Sequence, residues 1–518
     1  MFKNKLILLF VFQILSKTLY PNYVEPREVK KYFPTLKVTN ATPAFSHGNI
    51  RVTSNNEMQQ YINALDQKSS KISVQTLGQT SRGKNIPYVI LTENGTVDKN
   101  KVTVWIHAMK HGDEPASGEA ALGLINYLSK EGAGYLRSCN VIIVPRVNMD
   151  GADNSQRFSS SGIDICLDHS KLELSETRAI ANGIRKYPPD VVIDLHEYAA
   201  STKVYKDLEN GILPYYDVEF EAATNSNIAK YLRNITTKGF IEPTRKELAK
   251  NGVTSSYYYN NIYQTQNLGD KRIRLVGASS EINIGRNFYG VYPGISMLVE
   301  LRGKDIGIEN YERRVESGVM VLKNMIKICS EKQIEIKNAI NQSRHSTGQL
   351  TEEITVLSGN DVTREIYKFI ELGTGQLKDI EVEVERSGQS PLIKRTKPWG
   401  YVLDSTETQA VEILKNQGIK VDKVDKDMSI LVDEYQIREI QKDNKMYEGV
   451  YRTYIKTDLI RKKVDIKAGS YLISTNQPEG DLIVLLLEPE GLSSLVRHSI
   501  VDIKNKKVPI YRVMEKNK

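Results

Sequence analysis

The sequence predicts an α/β protein: a mixed, mostly parallel sheet with helices on both faces, followed by a smaller α+β unit. Three observations carry this expectation. Continuous β-branched runs at 102–107, 141–144, 191–195 and 295–301 have the character of strands buried on both faces. Segments of helical periodicity alternate with them, as parallel strands require for their crossovers. The chain has 518 residues, too many for one compact core.

Taken in order, the elements are as follows. Lys3 and Lys5 precede an apolar run at 6–15. A positive start and a run of about ten apolar residues predict a secretory signal peptide over 1–20, with an interfacial anchor as the alternative. The run is too short for a stable transmembrane span, so the expected location is secreted or periplasmic. Met58, Tyr61, Ile62 and Leu65 fall at helical spacing. Strands at 72–77 and 86–91 flank a turn at Ser81-Arg82-Gly83-Lys84. Helices are expected at 117–128, at 175–186 before Pro188-Pro189, and at 309–329. This makes one domain over 21–334. Residues 335–395 are more polar and suggest a strand-rich connecting segment. A C-terminal α+β domain over 396–518 includes a helix at 405–417 stopped by Gly418.

Composition narrows the function. Hydrophobic residues are 40% and charged residues 26%, ordinary for a globular chain. The net charge of +8 is spread out, without the clustered basic face that nucleic acid requires, so no nucleic-acid partner is expected. Three cysteines, Cys139, Cys166 and Cys329, make neither a disulfide framework nor a zinc ribbon.

The chemistry gathers at strand ends. His111 and Glu114 follow the 102–107 strand and are three apart, so one turn can aim both at one point. An imidazole and a carboxylate make a partial zinc set. His196 ends the 191–195 strand and would face the same crevice, although a strand-end histidine with a satisfied hydrogen bond is the plainer alternative. Three ligands leave the fourth position of one Zn²⁺ per chain open to water. Glu300 ends an apolar strand, where a carboxylate needs a job or a partner; a salt bridge to Arg302 is the structural alternative. Arg157, after the Asn148-Met149-Asp150-Gly151 turn, could meet a developing oxyanion, and Asp164 could fix the tautomer of His111. Surface solvation is the alternative for both.

Together, His111-Gly-Asp-Glu114, Asn148-x-Asp150-Gly151, Arg157, Gly162-Ile163-Asp164, Ser175-Glu176-Thr177-Arg178, Asp194-Leu195-His196 and Glu300 resemble the M14 zinc carboxypeptidase family. The resemblance covers about 55–330. The later part, with Pro398-x-Gly400-Tyr401 and Leu487-Glu488-Pro489-Glu490, is similar to the C-terminal region of long bacterial members. It implies zinc ligands His111, Glu114 and His196, Glu300 as general base and acid, Arg157 at the oxyanion and Asp164 behind His111. It further implies a peptide or peptidoglycan stem-peptide substrate. One departure stands out. Where the family reads Asp-x-Asn-Arg, this chain has Asp164-Ile165-Cys166-Leu167, which lacks the pair that grips a substrate's terminal carboxylate. Arg286, Arg302 and Lys171 are candidate replacements, and Tyr289 and Tyr292 are candidates for the family's active-site tyrosine. Two other readings stay open: a zinc-binding pseudo-peptidase, and a zinc amidase or deacylase.

Overall fold

A computed structural model describes residues 23–39, 41–46, 50–208, 211–267, 270–347 and 353–515. The leader expected at 1–20 lies outside the described residues. Among the described residues no helix is long and apolar enough to cross a membrane.

The main sheet has eight strands, in the spatial order Ile72–Gln79, Asn85–Leu91, Cys139–Val144, Val102–Ala108, Val191–Ala199, Ile295–Lys304, Val218–Ala222 and Ser255–Tyr257. The four central strands, from Cys139–Val144 to Ile295–Lys304, run parallel, and antiparallel neighbours flank them on both sides. Val102–Ala108 and Cys139–Val144 are buried along their whole length, which explains the unbroken apolar runs. Each Val or Ile so enclosed contributes about 1.5–3 kcal/mol.

Helices Pro115–Leu128 and Tyr311–Glu331 cover one face. They approach closely at Gly318, where a Cβ would stand 2.7 Å from that of Ala120. Their face carries Glu197, which receives the Ala116 N–H and the Arg314 guanidinium. Helix Ser175–Lys186 packs on the other face through Gly183 against Trp105 and Leu77. Alternation along Val191–Ala199 therefore sends Asp194 and His196 to one side and Glu197 to the other.

The segment expected as a strand-rich connector is strand over most of its length but opens with a helix. Gln333–Ser346 is a helix whose buried Ile336, Ala339, Ile340 and Ser343 repeat at helical spacing. Glu353–Glu371 and Gln376–Thr396 form a long hairpin. That hairpin joins a five-stranded sheet with Asn261–Asn267 and Asp270–Val276, so it serves as a wall beside the main sheet. The C-terminal unit is a six-stranded sheet with helices Thr408–Asn416 and Gly480–Leu487, an α+β arrangement. Its longest hairpin, Met428–Lys442 with Thr453–Ile466, points its tip at the main sheet.

Candidate active site

The carboxyl ends of the parallel strands open onto a cavity of about 290 Å³. Its lining includes His111, Arg157, Asp164, His196 and Glu300. The local sequence explains how His111 and Glu114 reach it. Met109 takes a left-handed φ of 52°, a strained conformation that ends the strand abruptly. Its N–H is received by Ser117 Oγ at 3.1 Å. Gly112 follows, and a Cβ there would lie 2.1 Å from the Gly151 carbonyl carbon, so the turn closes only on glycine. Glu114 then stands at the N-cap with Pro115 opening the helix.

The three donors meet closely. His111 Nδ1 and Glu114 Oε1 are 2.7 Å apart, His196 Nδ1 and Glu114 Oε2 are 2.8 Å apart, and the two Nδ1 atoms are 3.1 Å apart. Each imidazole turns its outer nitrogen to a carboxylate: His111 Nε2 to Asp164 Oδ1 at 3.1 Å, His196 Nε2 to Asp194 Oδ1 at 3.2 Å. Such outer partners fix which ring nitrogen is free to bind a metal. Burial alone would depress both imidazoles. Cys166, Glu114 and Asp164 around His111, and Cys166, Asp194 and Glu114 around His196, instead hold them well above the ordinary histidine range. The cluster thus draws positive charge to the floor of the cavity, and its two nitrogens and carboxylate suit Zn²⁺.

Arg157 is placed by Asn148, whose side chain accepts the Gly151 N–H at 2.7 Å and donates to the Arg157 and Phe158 carbonyls at 3.1 Å. Its guanidinium reaches Asp164 Oδ2 at 3.1 Å and Glu114 Oε1 at 3.3 Å. Glu300 is 7% exposed, and burial pushes its carboxyl up to about 8. It pairs in register with His196 on the neighbouring strand. Arg302 is not its partner, because that guanidinium is held by Glu25.

The other candidates fall in different places. Arg286 lines the cavity, 2% exposed, with Glu221 Oε2 at 2.7 Å and its Nε without a hydrogen-bond partner. Lys171 is buried against Glu173 and the Glu448 carbonyl, and Arg302 against Glu25, so neither lines the cavity. Tyr289 lies behind the sheet with its hydroxyl 3.2 Å from His169 Nδ1, and Tyr292 stacks on Phe288; neither is part of the lining. The tyrosines that do line it are Tyr258 and Tyr447. Tyr258 belongs to a Tyr257-Tyr258-Tyr259 run, a signal passed over because nothing in it marks which ring faces the cleft. Also unforeseen is Lys110, buried behind the site with its Nζ 2.7 Å from Asp194 Oδ2 and 3.3 Å from His169 Nε2. Cys166 and Leu167 both line the cavity. The Cys166 thiol lies 3.4 Å from His111 Nε2 and 3.6 Å from His196 Nε2, giving a second His-Cys-His donor group on the outer side of the two rings.

Paired imidazoles and a carboxylate, with a buried acid and a cation beside them at parallel strand ends, are the equipment of a metallohydrolase. The comparisons name the class further. Residues 58–269, the stretch that carries His111, Glu114 and His196, match the family model described as zinc carboxypeptidase. Carboxypeptidase 2 of Trichophyton rubrum is 26% identical over 513 residues, covering 94% of each chain, so the likeness runs on through the C-terminal unit. Carboxypeptidase 2 of Trichophyton tonsurans is 26% identical over 479 residues, 90% of this chain and 88% of its own. Among solved structures, a metallo-carboxypeptidase from Burkholderia cenocepacia matches with TM-score 0.41 and 20% identity, over 53% of this chain and 69% of its own. The carboxypeptidase A of Helicoverpa armigera matches with TM-score 0.42 and 13% identity, over 54% and 74%.

Proposed function

We propose that the chain is an exported zinc metallocarboxypeptidase that cleaves peptide bonds, with peptides or peptidoglycan stem peptides as substrates. The observation that carries this is the convergence of His111 Nδ1, His196 Nδ1 and the Glu114 carboxylate beside a buried Glu300. Zn²⁺ held by those three side chains would supply a Lewis acid and a water of lowered pKa. Glu300, buried beside the ligands and in register with His196, takes the proton of the attacking water and returns it to the leaving amine. Arg157 offers its guanidinium to the carbonyl oxygen as negative charge develops there. Asp164 and Asp194 hold the two imidazoles in the tautomer that leaves Nδ1 free. Arg286 is our candidate for a substrate anion, because its guanidinium group stands on the cavity wall apart from the ligand cluster that Arg157 serves. Export rests on the leader read at 1–20.

The test uses the full chain with zinc loaded. Glu300→Gln should keep one equivalent of metal while kcat falls by about 10²–10⁴-fold. Turnover within a few-fold of wild type would remove Glu300 from the mechanism. A second reading, a zinc amidase or deacylase, is favoured by one observation: Leu167 and Cys166 stand on the cavity wall where the family has a carboxylate grip. Equal cleavage of a peptide and its C-terminally amidated form would select it.

A further inference from the structure

The C-terminal unit enters the active site through the tip of its long hairpin, residues 443–452. The tip is built to hold a shape. Asp443 and Arg452 are joined by a backbone hydrogen bond of 2.9 Å and by the Arg452 Nε bond to Asp443 Oδ2 at 2.7 Å. The Tyr447 N–H is received by the Val450 carbonyl at 2.8 Å, and the Arg452 guanidinium lies 4.0 Å over the Tyr447 ring. Tyr447 thereby presents a fixed ring to the same cavity that His111, Arg157 and Glu300 line.

The next residue grips the loop of the main domain. Glu448 has a left-handed φ of 47°, a strained geometry for a residue with a Cβ. In that geometry its Oε2 accepts the Asp164 N–H at 2.7 Å, and its carbonyl receives the buried Lys171 ammonium. Lys171 is tied back to Glu173 Oε2 at 2.9 Å. Gly449 closes over Ile163, where a Cβ would approach within 2.9 Å. Asp164 itself holds both His111 Nε2 and Arg157 NH2, each at 3.1 Å. One strained residue of the distal unit is therefore a single hydrogen bond away from the carboxylate that orients a metal ligand and the oxyanion cation.

Resting on the peptidase reading above, we propose that the hairpin tip is part of the active site: Tyr447 is a substrate-binding wall that contacts the peptide with its ring, and Glu448 is a positioning residue for Asp164. The two roles separate kinetically. Loss of an interaction made alike with substrate and transition state raises KM, whereas a displaced orienting group lowers kcat. Tyr447→Ala in the zinc-loaded full chain should raise KM by about tenfold with kcat kept, and Tyr447→Phe should stay within about twofold of wild type. Glu448→Ala should lower kcat by about tenfold at unchanged zinc content, and Glu448→Gln, which keeps an accepting oxygen, should restore it. Binding supplies the arm that does not need turnover: a fluorescent peptide is titrated onto the zinc-loaded Glu300→Gln chain with and without Tyr447→Ala. Binding weakened by Tyr447→Ala supports the proposal. Equal binding overturns the role of Tyr447 alone, and kinetics of Glu448→Ala equal to wild type overturn that of Glu448. A Glu300→Gln chain that binds no peptide overturns the peptidase reading itself, and the proposal falls with it.

Discussion

Glu25, close to the end of the expected leader, holds the strand that carries Glu300. Its carboxylate receives Arg302 NH2 at 2.9 Å and NH1 at 3.0 Å, and Asn310 Nδ2 at 2.9 Å. The two side chains are 0% and 3% exposed, and the guanidinium lies 4.0 Å over the Phe33 ring. In Glu25→Ala the guanidinium remains buried and, among the described residues, keeps a hydrogen bond to the Pro214 carbonyl at 3.2 Å alone. Removing one side of such a pair costs about 3–5 kcal/mol, because an uncompensated charge stays inside. Removing both, as in Glu25→Ala with Arg302→Met, should cost less than the sum of the two single changes, and the double-mutant cycle should show coupling of about 2–3 kcal/mol. The chain has two tryptophans, Trp105 in the main sheet and Trp399 in the C-terminal unit. In a Trp399→Phe background, denaturant unfolding followed by Trp105 fluorescence therefore reports the main domain by itself. A loss under about 1 kcal/mol for Glu25→Ala, or a double variant equal to the sum of the singles, would refute the argument.

Two further outcomes follow from burial. Cys139 and Cys329 are 0% exposed while Cys166 lines the cavity, so a thiol reagent should modify one cysteine rapidly, and that fast phase should vanish in Cys166→Ser; a fast phase surviving in the variant would contradict this placement. His498 is 2% exposed with neither ring nitrogen hydrogen-bonded, and burial pushes it down to about 3. The unfolded chain takes up this proton as pH falls below about 6.5 and the folded chain does not, so the stability is complete above that pH and declines toward pH 3 by up to about 1.4 kcal/mol per unit. His498→Leu should therefore flatten the decline of stability between about pH 6.5 and pH 5, and an unchanged slope would exclude His498 as its source.

The main sheet was legible because its central strands are enclosed on both faces and their side chains must then be continuously apolar. Helix 175–186 was legible to its last residue, since Pro188-Pro189 leaves it no continuation. The stretch from 335 was harder. Its helix spaces Ile336, Ala339 and Ile340 correctly, but polar neighbours dilute the pattern, and the hairpin after it is stabilised by pairing with residues more than a hundred positions earlier. Local periodicity cannot announce such a partner. The same limit applies at the site. His111, Glu114, His196 and Glu300 advertise themselves because each interrupts or follows a buried apolar run with a group that is costly to bury there; the strands of His196 and Glu300 in fact continue to Ala199 and Lys304, beyond the ends expected from the sequence. Tyr258, Lys110 and Tyr447 carry no such mark, since a tyrosine or a lysine is ordinary wherever it stands until the fold places it.

That difference bears on how the substitution at Cys166 and Leu167 should be understood. A sequence departure at a substrate grip suggests a lost function when only the motif is in view. In the fold, the wall at Leu167 also contains Arg286 and receives Tyr447 from the C-terminal unit. Glu448 holds the backbone of that same loop at Asp164 N, two residues before Cys166. Asp164 and Asp194 face the outer nitrogens of the two imidazoles, and Glu300 is buried beside them. A buried carboxyl in register with His196 is what the proposed proton transfer uses and what zinc binding alone would not require. On the proposed reading, Glu300 beside a wall that holds Arg286 and Tyr447 favours altered substrate recognition over lost turnover, and the Glu300→Gln and amidated-peptide assays separate the two.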